Sequence, residues 1–124
     1  MRQRVAFIVA VGLLMAATAA LQPAVSAVVV KGVSCSTCPS GSKWSPKSTS
    51  IVHGTKVVWK AINTSHTVTS IGTKWSKNVT INVGQTTGFT FNKVGTFRFR
   101  CRFHSTYNAT TKKCTGMCGK VIVS

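Results

Sequence analysis

Residues 95–105, GTFRFRCRFHS, carry the clearest strand pattern of this chain and raise the question of what it binds. Aromatic and basic residues alternate from Phe97 to Arg100, so the phenylalanines and Cys101 share one face of a strand and the arginines share the other. Such alternation is typical of a strand with one face in the core and one face in water. The segment therefore predicts a β-strand whose last inward position is a cysteine, followed three residues later by His104.

Short apolar runs rich in β-branched residues recur along the rest of the chain, separated by Gly, Ser, Asn and Pro. These runs are AVVVKGV, STSIVHG, TKVVWKAIN, HTVTSIG, NVTINVG, TTGFTFN and GKVIVS. About eight short strands with frequent turn signals predict an all-β fold, a Greek-key sandwich or barrel. We expect two irregular segments, a loop at 35–48 between the first two strands and another at 104–116 between the last two.

Residues 1–27 predict a cleaved signal peptide, because the basic start MRQR precedes an apolar run and the small residues VSA at 25–27. The alternative is an uncleaved segment that tethers the protein to a membrane, since the run from Val5 to Leu21 approaches the length of a spanning helix. We expect residues 28–124 to form one domain, exported to the periplasm, the cell surface or the medium.

The charge of the chain is extreme, with 16 Lys and Arg residues, no Asp or Glu, and a formal net charge of +16. The sequence thus lacks a carboxylate general base, a Ser-His-Asp triad and an oxygen-rich calcium or magnesium site, which excludes a large class of enzymes. The charge predicts attraction to polyanions, such as an acidic partner protein or an anionic membrane or wall polymer. Nucleic acid is not an expected partner, because the basic residues are not clustered with stacking aromatics.

The five cysteines are an odd number, so at least one has no intramolecular partner. Four of them lie in or beside the two predicted loops: Cys35, Cys38, Cys114 and Cys118. Cys101 instead ends a strand and faces the core, so it is the candidate free thiol. Alone, a buried thiol can simply be a small hydrophobic residue.

Cys101 is accompanied by other residue types that bind metals. His104 follows after two residues, Met117 lies in GMCG, and His66 lies far upstream in NTSHTV. Two imidazoles, a thiolate and an axial thioether are the donor set of a blue-copper electron-transfer site. Zinc accepts the first three donors but rarely uses methionine. The sequence therefore predicts a site for one copper ion that changes between Cu(I) and Cu(II).

Three segments, WSPKSTSIVHGTKVVWKAINTSHTV, GTFRFRCRFHS and GMCGKVIVS, together resemble the plastocyanin-like cupredoxins. The resemblance spans nearly the whole predicted domain. It implies the cupredoxin fold and one type 1 copper ion held by His66, Cys101, His104 and Met117, with Met117 axial. It also implies that His104 lies near the surface as the electron port, and that Asn63 supports the site through hydrogen bonds. No substrate is transformed at such a site.

The chain departs from that family between its last two ligands. Plastocyanins have a short gap there, whereas residues 105–116 intervene here and include Cys114. The extra length predicts a loop that folds outward and is tied by a disulfide.

The four loop cysteines allow three connectivities. In the cupredoxin fold the loop after the first strand lies beside the copper loops, so bonds from Cys35 and Cys38 to Cys114 and Cys118 are sterically plausible. We favour the two patterns that cross between the loops, because such bonds constrain the unfolded chain more than local ones.

The resemblance also implies a function for the protein. We expect a monomer that carries single electrons and docks to an acidic redox partner. Two alternatives remain open, a copper-trafficking or sequestering protein with the same ligands, and a metal-free cationic β-sandwich that binds wall polymer or membrane.

Overall fold

The structure, a computed structural model, describes residues 17–21 and 25–124. Within these residues it contains nine β-strands: Val28–Ser34 (β1), Ser42–Ser45 (β2), Ser48–Ile51 (β3), Thr55–Ala61 (β4), His66–Ile71 (β5), Asn78–Ile81 (β6), Thr86–Phe91 (β7), Gly95–Asn108 (β8) and Lys113–Val123 (β9). Most of the predicted signal peptide at 1–27 lies outside the described residues. In the part of the chain that is described, no helix is long and apolar enough to cross a membrane.

The strands form two sheets around one hydrophobic core. The first sheet has the order β2-β1-β4-β7, and the second has the order β3-β9-β8-β5-β6. Strands β1 and β4 pair in parallel, as do β3 and β9, and the remaining neighbours are antiparallel. This architecture confirms the predicted all-β sandwich.

Alternation in β8 places its side chains as the sequence predicts. Phe97, Phe99 and Cys101 are buried, whereas Arg98 and Arg100 lie on the outer face of the second sheet. Aromatic rings from both sheets fill the core between them, and Phe99 packs edge-on against Trp59 with ring centroids 5.2 Å apart. The core therefore fixes the inward position of Cys101.

The predicted loop at 35–48 is wrong in its second half, where β2 pairs with β1. Ser42 and Trp44 are buried while their neighbours are exposed, which is the alternation of a strand. Trp44 supplies the reason, because its ring packs edge-on against Phe99 at 5.5 Å and so anchors this short edge strand to the core.

The predicted irregular segment at 104–116 is also wrong, because it forms a hairpin. Strand β8 continues to Asn108, and β9 begins at Lys113. In the connecting turn, the side-chain oxygen of Asn108 accepts hydrogen bonds from the backbone N–H groups of Thr110 and Thr111, both at 2.9 Å. The hairpin is largely polar on both faces, so it lacks the alternation that marks the other strands.

Candidate metal centre

His66 begins β5 and is fully buried. Its imidazole lies between Gly32 of β1 and the ring of Trp44, whose centroid is 5.6 Å away. A Cβ atom at Gly32 would overlap the imidazole and come within 3.0 Å of Trp44. The glycine therefore makes the space that the histidine occupies.

Cys101 occupies the last inward position before β8 bends, and its side chain is fully buried. Its sulfur accepts a hydrogen bond from the backbone N–H of Thr67 at 3.3 Å. The hydroxyl of Thr67 in turn accepts a bond from the backbone N–H of Arg102 at 2.7 Å. Thr67 therefore fixes the position of the Cys101 sulfur and the start of the bend in β8.

His104 reaches the site because β8 does not stay extended. Three residues of extended strand span about 10 Å, yet Nδ1 of His104 lies 3.4 Å from Sγ of Cys101. The hydroxyl of Ser105 donates a hydrogen bond to the carbonyl of Cys101 at 2.5 Å, which closes the bend. His104 is half-buried, and the neighbouring Phe103 is 59% exposed.

The three donor atoms therefore converge. Nδ1 of His66 lies 3.7 Å from Sγ of Cys101, and the donor atoms of His66, Cys101 and His104 all lie within 4.8 Å of one another. A metal bonded to nitrogen at about 2.0 Å and to sulfur at about 2.3 Å holds these donors about 3.5–3.7 Å apart at angles of about 110–120°. The spacing fits one ion bound by all three residues. Two imidazoles and a thiolate form a group suited to copper.

The electrostatics of the site keep its buried imidazole neutral. Burial and, to a smaller extent, the nearby His104 together lower the pKa of His66 from 6.5 to about 4, although the backbone of Gly32 offsets part of their effect. The Nε2 atom of His66 lies beside Gly32, but it forms no hydrogen bond with any of the described residues. A neutral imidazole is the form that binds a metal.

Met117 lies directly across from the bend. Arg100 pairs with Cys118 and Ser105 pairs with Gly116, so the four residues from Cys101 to His104 on β8 face the single residue Met117 on β9. Met117 is 1% exposed and belongs to the same buried cluster as Cys101. The hairpin at 105–116 therefore lengthens the connection without moving the methionine away from the other three candidates.

Strand β9 bends at this point as well. Gly116 has a φ of +88°, and a Cβ there would approach the carbonyl oxygen of His104 to 2.5 Å. An L side chain is disfavoured in this backbone conformation, and the close approach leaves no room for one. Gly116 thus brings the two bent strands together.

Asn63 forms a side-chain hydrogen bond, but its partner is not His66, Cys101 or His104. Its side-chain oxygen accepts a bond from the backbone N–H of Ser34 at 2.7 Å. Ser34 ends β1, two residues after Gly32, and Asn63 lies in the turn before His66. Asn63 therefore joins the two segments that enclose His66.

The favoured disulfide connectivity is wrong, because both bonds are local: Cys35–Cys38 and Cys114–Cys118. Cys101 is the free, buried cysteine of the described residues, as predicted. In β9, four residues of extended chain would span about 13 Å, whereas the Cα atoms of Cys114 and Cys118 are 6.2 Å apart. The bend at Gly116 brings these two cysteines together, and a sequence pattern does not reveal such a bend.

The first disulfide also closes a turn. The N–H of Cys38 donates to the carbonyl of Cys35 at 3.2 Å, so their Cα atoms are only 5.3 Å apart. The two loops do adjoin, since a Cβ at Gly116 would lie 3.2 Å from the side chain of Ser40. They meet through packing rather than through a covalent bond.

Four further residues shape the site but were not predicted from the sequence: Gly32, Trp44, Thr67 and Gly116. Thr67 follows a candidate ligand directly, which is a signal of its position. Gly32 lies on β1 in the first sheet and His66 lies on β5 in the second, so the packing of one sheet on the other brings them together. No local pattern marks that contact.

Solved structures resemble this fold. A purple cupredoxin from Nitrosopumilus maritimus matches with a TM-score of 0.60 and 21% identity, covering 78% of this chain and 99% of that one. A reduced Cu(I) form of an amicyanin variant matches with a TM-score of 0.58 and 21% identity, covering 79% of this chain and 82% of that one. A copper-containing nitrite reductase from Thermus scotoductus matches at 0.59 and 20% identity, but over only 22% of its own length against 80% of this chain. No protein-family model and no curated protein matches the sequence.

These likenesses define the class of structure. The chain has the cupredoxin fold, and it carries a His–Cys–His group suited to one copper ion.

Proposed function

We propose that this protein is a type 1 copper protein that carries single electrons between redox partners. The observation that carries the proposal is the convergence of His66, Cys101 and His104, with the cysteine sulfur 3.7 and 3.4 Å from the two imidazole nitrogens. Bound copper would supply a one-electron couple between Cu(II) and Cu(I).

The chain's own residues hold the donors in place for this task. Gly32 and Trp44 confine His66, and Thr67 orients the sulfur of Cys101. Because these donor atoms are held in their binding positions, they need to move little when the charge of the metal changes. Small movement favours rapid electron transfer. The buried thioether of Met117 would supply a fourth, weaker donor, because Met117 faces the bend that contains Cys101 and His104.

The route for the electron runs through His104. It is the most exposed of the three convergent ligands, and it lines a surface depression together with Phe103, Pro39 and Thr115. Phe103 offers an exposed apolar surface beside the imidazole, against which a partner protein can pack. Electrons would enter and leave at this face.

The partner would be an acidic protein. The chain has no Asp or Glu to offset its 16 basic residues, so a partner with surface carboxylates is attracted over long range. An exported location fits this function and fits the N-terminal sequence. Association should weaken as ionic strength rises.

The visible absorption spectrum of the purified protein, recorded after addition of Cu(II), tests the proposal. We expect an intense band from the copper–thiolate bond, and its loss in Cys101→Ser. Reversible reduction and reoxidation at a fixed potential would distinguish an electron carrier from a protein that traffics or sequesters copper, which would instead release Cu(I) readily to a chelator. A protein that stays colourless with Cu(II) yet binds acidic polymer would contradict the proposal and favour the metal-free cationic module.

A further inference from the structure

The outer face of the second sheet carries a groove that the metal centre does not use. It is lined by Lys47, Arg98 and Lys120, beside the Cys114–Cys118 disulfide. Its volume is about 410 Å³, within the range of sites for small molecules. Three cationic side chains thus meet at one concave surface.

The strand register forces two of these charges together. Arg98 and Lys120 are directly opposite each other in the β8–β9 pair, and both point away from the core. Like charges in directly opposite positions destabilise a sheet. Lys47 joins them from the other side, because its carbonyl accepts a hydrogen bond from the N–H of Lys120 at 3.0 Å.

No side chain of the protein can neutralise this cluster, since the sequence contains no Asp or Glu. Arg98 is half-buried, and an Nη1–H group of its guanidinium donates to the carbonyl of Lys112 at 2.9 Å. That bond orients the guanidinium but supplies no negative charge. The three positive charges lie together with no anionic side chain beside them, so the groove attracts an anion from outside.

The chain contains a second like-charge pair that serves as a comparison. Lys31 and Lys60 are opposite each other in the β1–β4 pair, on the outer face of the first sheet. Lys31, Lys60 and Lys120 are all exposed to solvent, whereas Arg98 is partly buried and fixed by a hydrogen bond. Repulsion between two solvated lysines is screened, and it does not require a bound ion.

We propose that the groove of Lys47, Arg98 and Lys120 binds a phosphate group. A guanidinium flanked by two ammonium groups favours a dianion with several acceptor oxygens over a single carboxylate. The groove is larger than a phosphate ion needs, which leaves room for the organic part of a phosphomonoester. The site is independent of the proposed copper function, because none of the metal-ligand candidates lines it.

Titration of the purified protein with inorganic phosphate at constant ionic strength, followed by amide NMR shifts, tests this site. We expect saturable shifts at Ser48, Arg98 and Lys120. Both Arg98→Gln and Lys120→Gln should weaken binding by about tenfold or more, because each removes one charge-assisted hydrogen bond. The matched control is Lys60→Gln, which removes the same charge from the other sheet and should change affinity by less than about twofold.

Glycerol phosphate in place of inorganic phosphate distinguishes the two sources of the ligand. Tighter binding of the ester would assign the groove to a phosphomonoester, and equal binding would assign it to the free ion. Shifts spread over all lysines without saturation would overturn the proposal, as would equal weakening by Lys60→Gln and Lys120→Gln. Because both arms can be run without copper, their failure would leave the electron-transfer proposal untouched.

Discussion

The two halves of the candidate metal centre are built in different ways. His66 stands on a regular strand and is confined by packing against Gly32 and Trp44. Cys101 and His104 instead belong to a bend in β8, which faces a matching bend in β9. One half therefore depends on side-chain volume in the core, and the other depends on backbone geometry that only particular residues allow.

The two halves of the metal centre should therefore tolerate different substitutions. A well-packed core resists added volume, since even one methyl group has no space to enter. A bent strand pair resists changes that release its bends, while the core behind it stays folded. Substitutions in either half should alter metal binding. Their effects on the free energy of unfolding and on the visible spectrum of the copper form should differ between the two halves.

The largest effect is expected from Gly32→Ala. The new Cβ would overlap the imidazole of His66 and press on Trp44, so the ligand must move. We expect copper affinity to fall by about tenfold or more and the free energy of unfolding to fall by about 1–3 kcal/mol. Copper titration and chemical denaturation measure the two quantities.

The control for that substitution is Gly88→Ala on β7. There the new Cβ would meet the Cε atom of Lys56 at 2.5 Å, and this flexible, exposed side chain can turn aside. Copper affinity should therefore stay unchanged. Equal losses of copper affinity in the two variants would show that packing around His66 has no special role.

An intermediate effect is expected from removal of the disulfide in β9 by Cys114→Ser with Cys118→Ser. This bond brackets Met117 and holds the bend at Gly116 closed. Because the closed loop is short, its loss should lower the free energy of unfolding by about 2 kcal/mol. We also expect the visible spectrum of the copper form to change, as the thioether is no longer held across from Cys101.

The matched comparison is Cys35→Ser with Cys38→Ser. That disulfide closes a loop of nearly the same length, so it should cost about the same stability. It does not bracket a candidate ligand, and the spectrum should stay unchanged. Identical spectral shifts in both double variants would contradict the assignment of the β9 bend to the metal site.

The smallest effect on stability is expected from Met117→Leu. The two side chains have similar volume, so the free energy of unfolding should change by less than about 1.5 kcal/mol. Cu(II) needs a fourth donor more than Cu(I) does, and leucine makes the site more apolar, so loss of the thioether should raise the reduction potential. Voltammetry of the copper form measures this change, and an unaltered potential would show that Met117 is not an axial ligand.

The sequence predicts those parts of the molecule that repeat a local pattern. Alternation in β8 assigns Phe97, Phe99 and Cys101 to the core, and the structure confirms this assignment. The same reasoning identifies the all-β sandwich. Donor chemistry and the resemblance to plastocyanin-like cupredoxins, rather than alternation, propose the three residues whose donor atoms the fold brings together.

The sequence does not predict features that depend on contacts between distant segments or on bends within a strand. The hairpin at 105–116 has no apolar face, so its strands carry no periodic signal. The pairing of Cys114 with Cys118 depends on the left-handed conformation of Gly116, which brings together two positions that a straight strand would separate. The role of Gly32 depends on the packing of the first sheet against the second, which carries His66.

X-ray absorption at the copper K-edge, recorded on the copper-loaded protein, tests the central claim most directly. If His66, Cys101 and His104 bind the metal together, the spectrum should show one sulfur and two imidazole nitrogens at bonding distance from the copper. A shell of nitrogen and oxygen atoms alone, with no sulfur at bonding distance, would contradict the account.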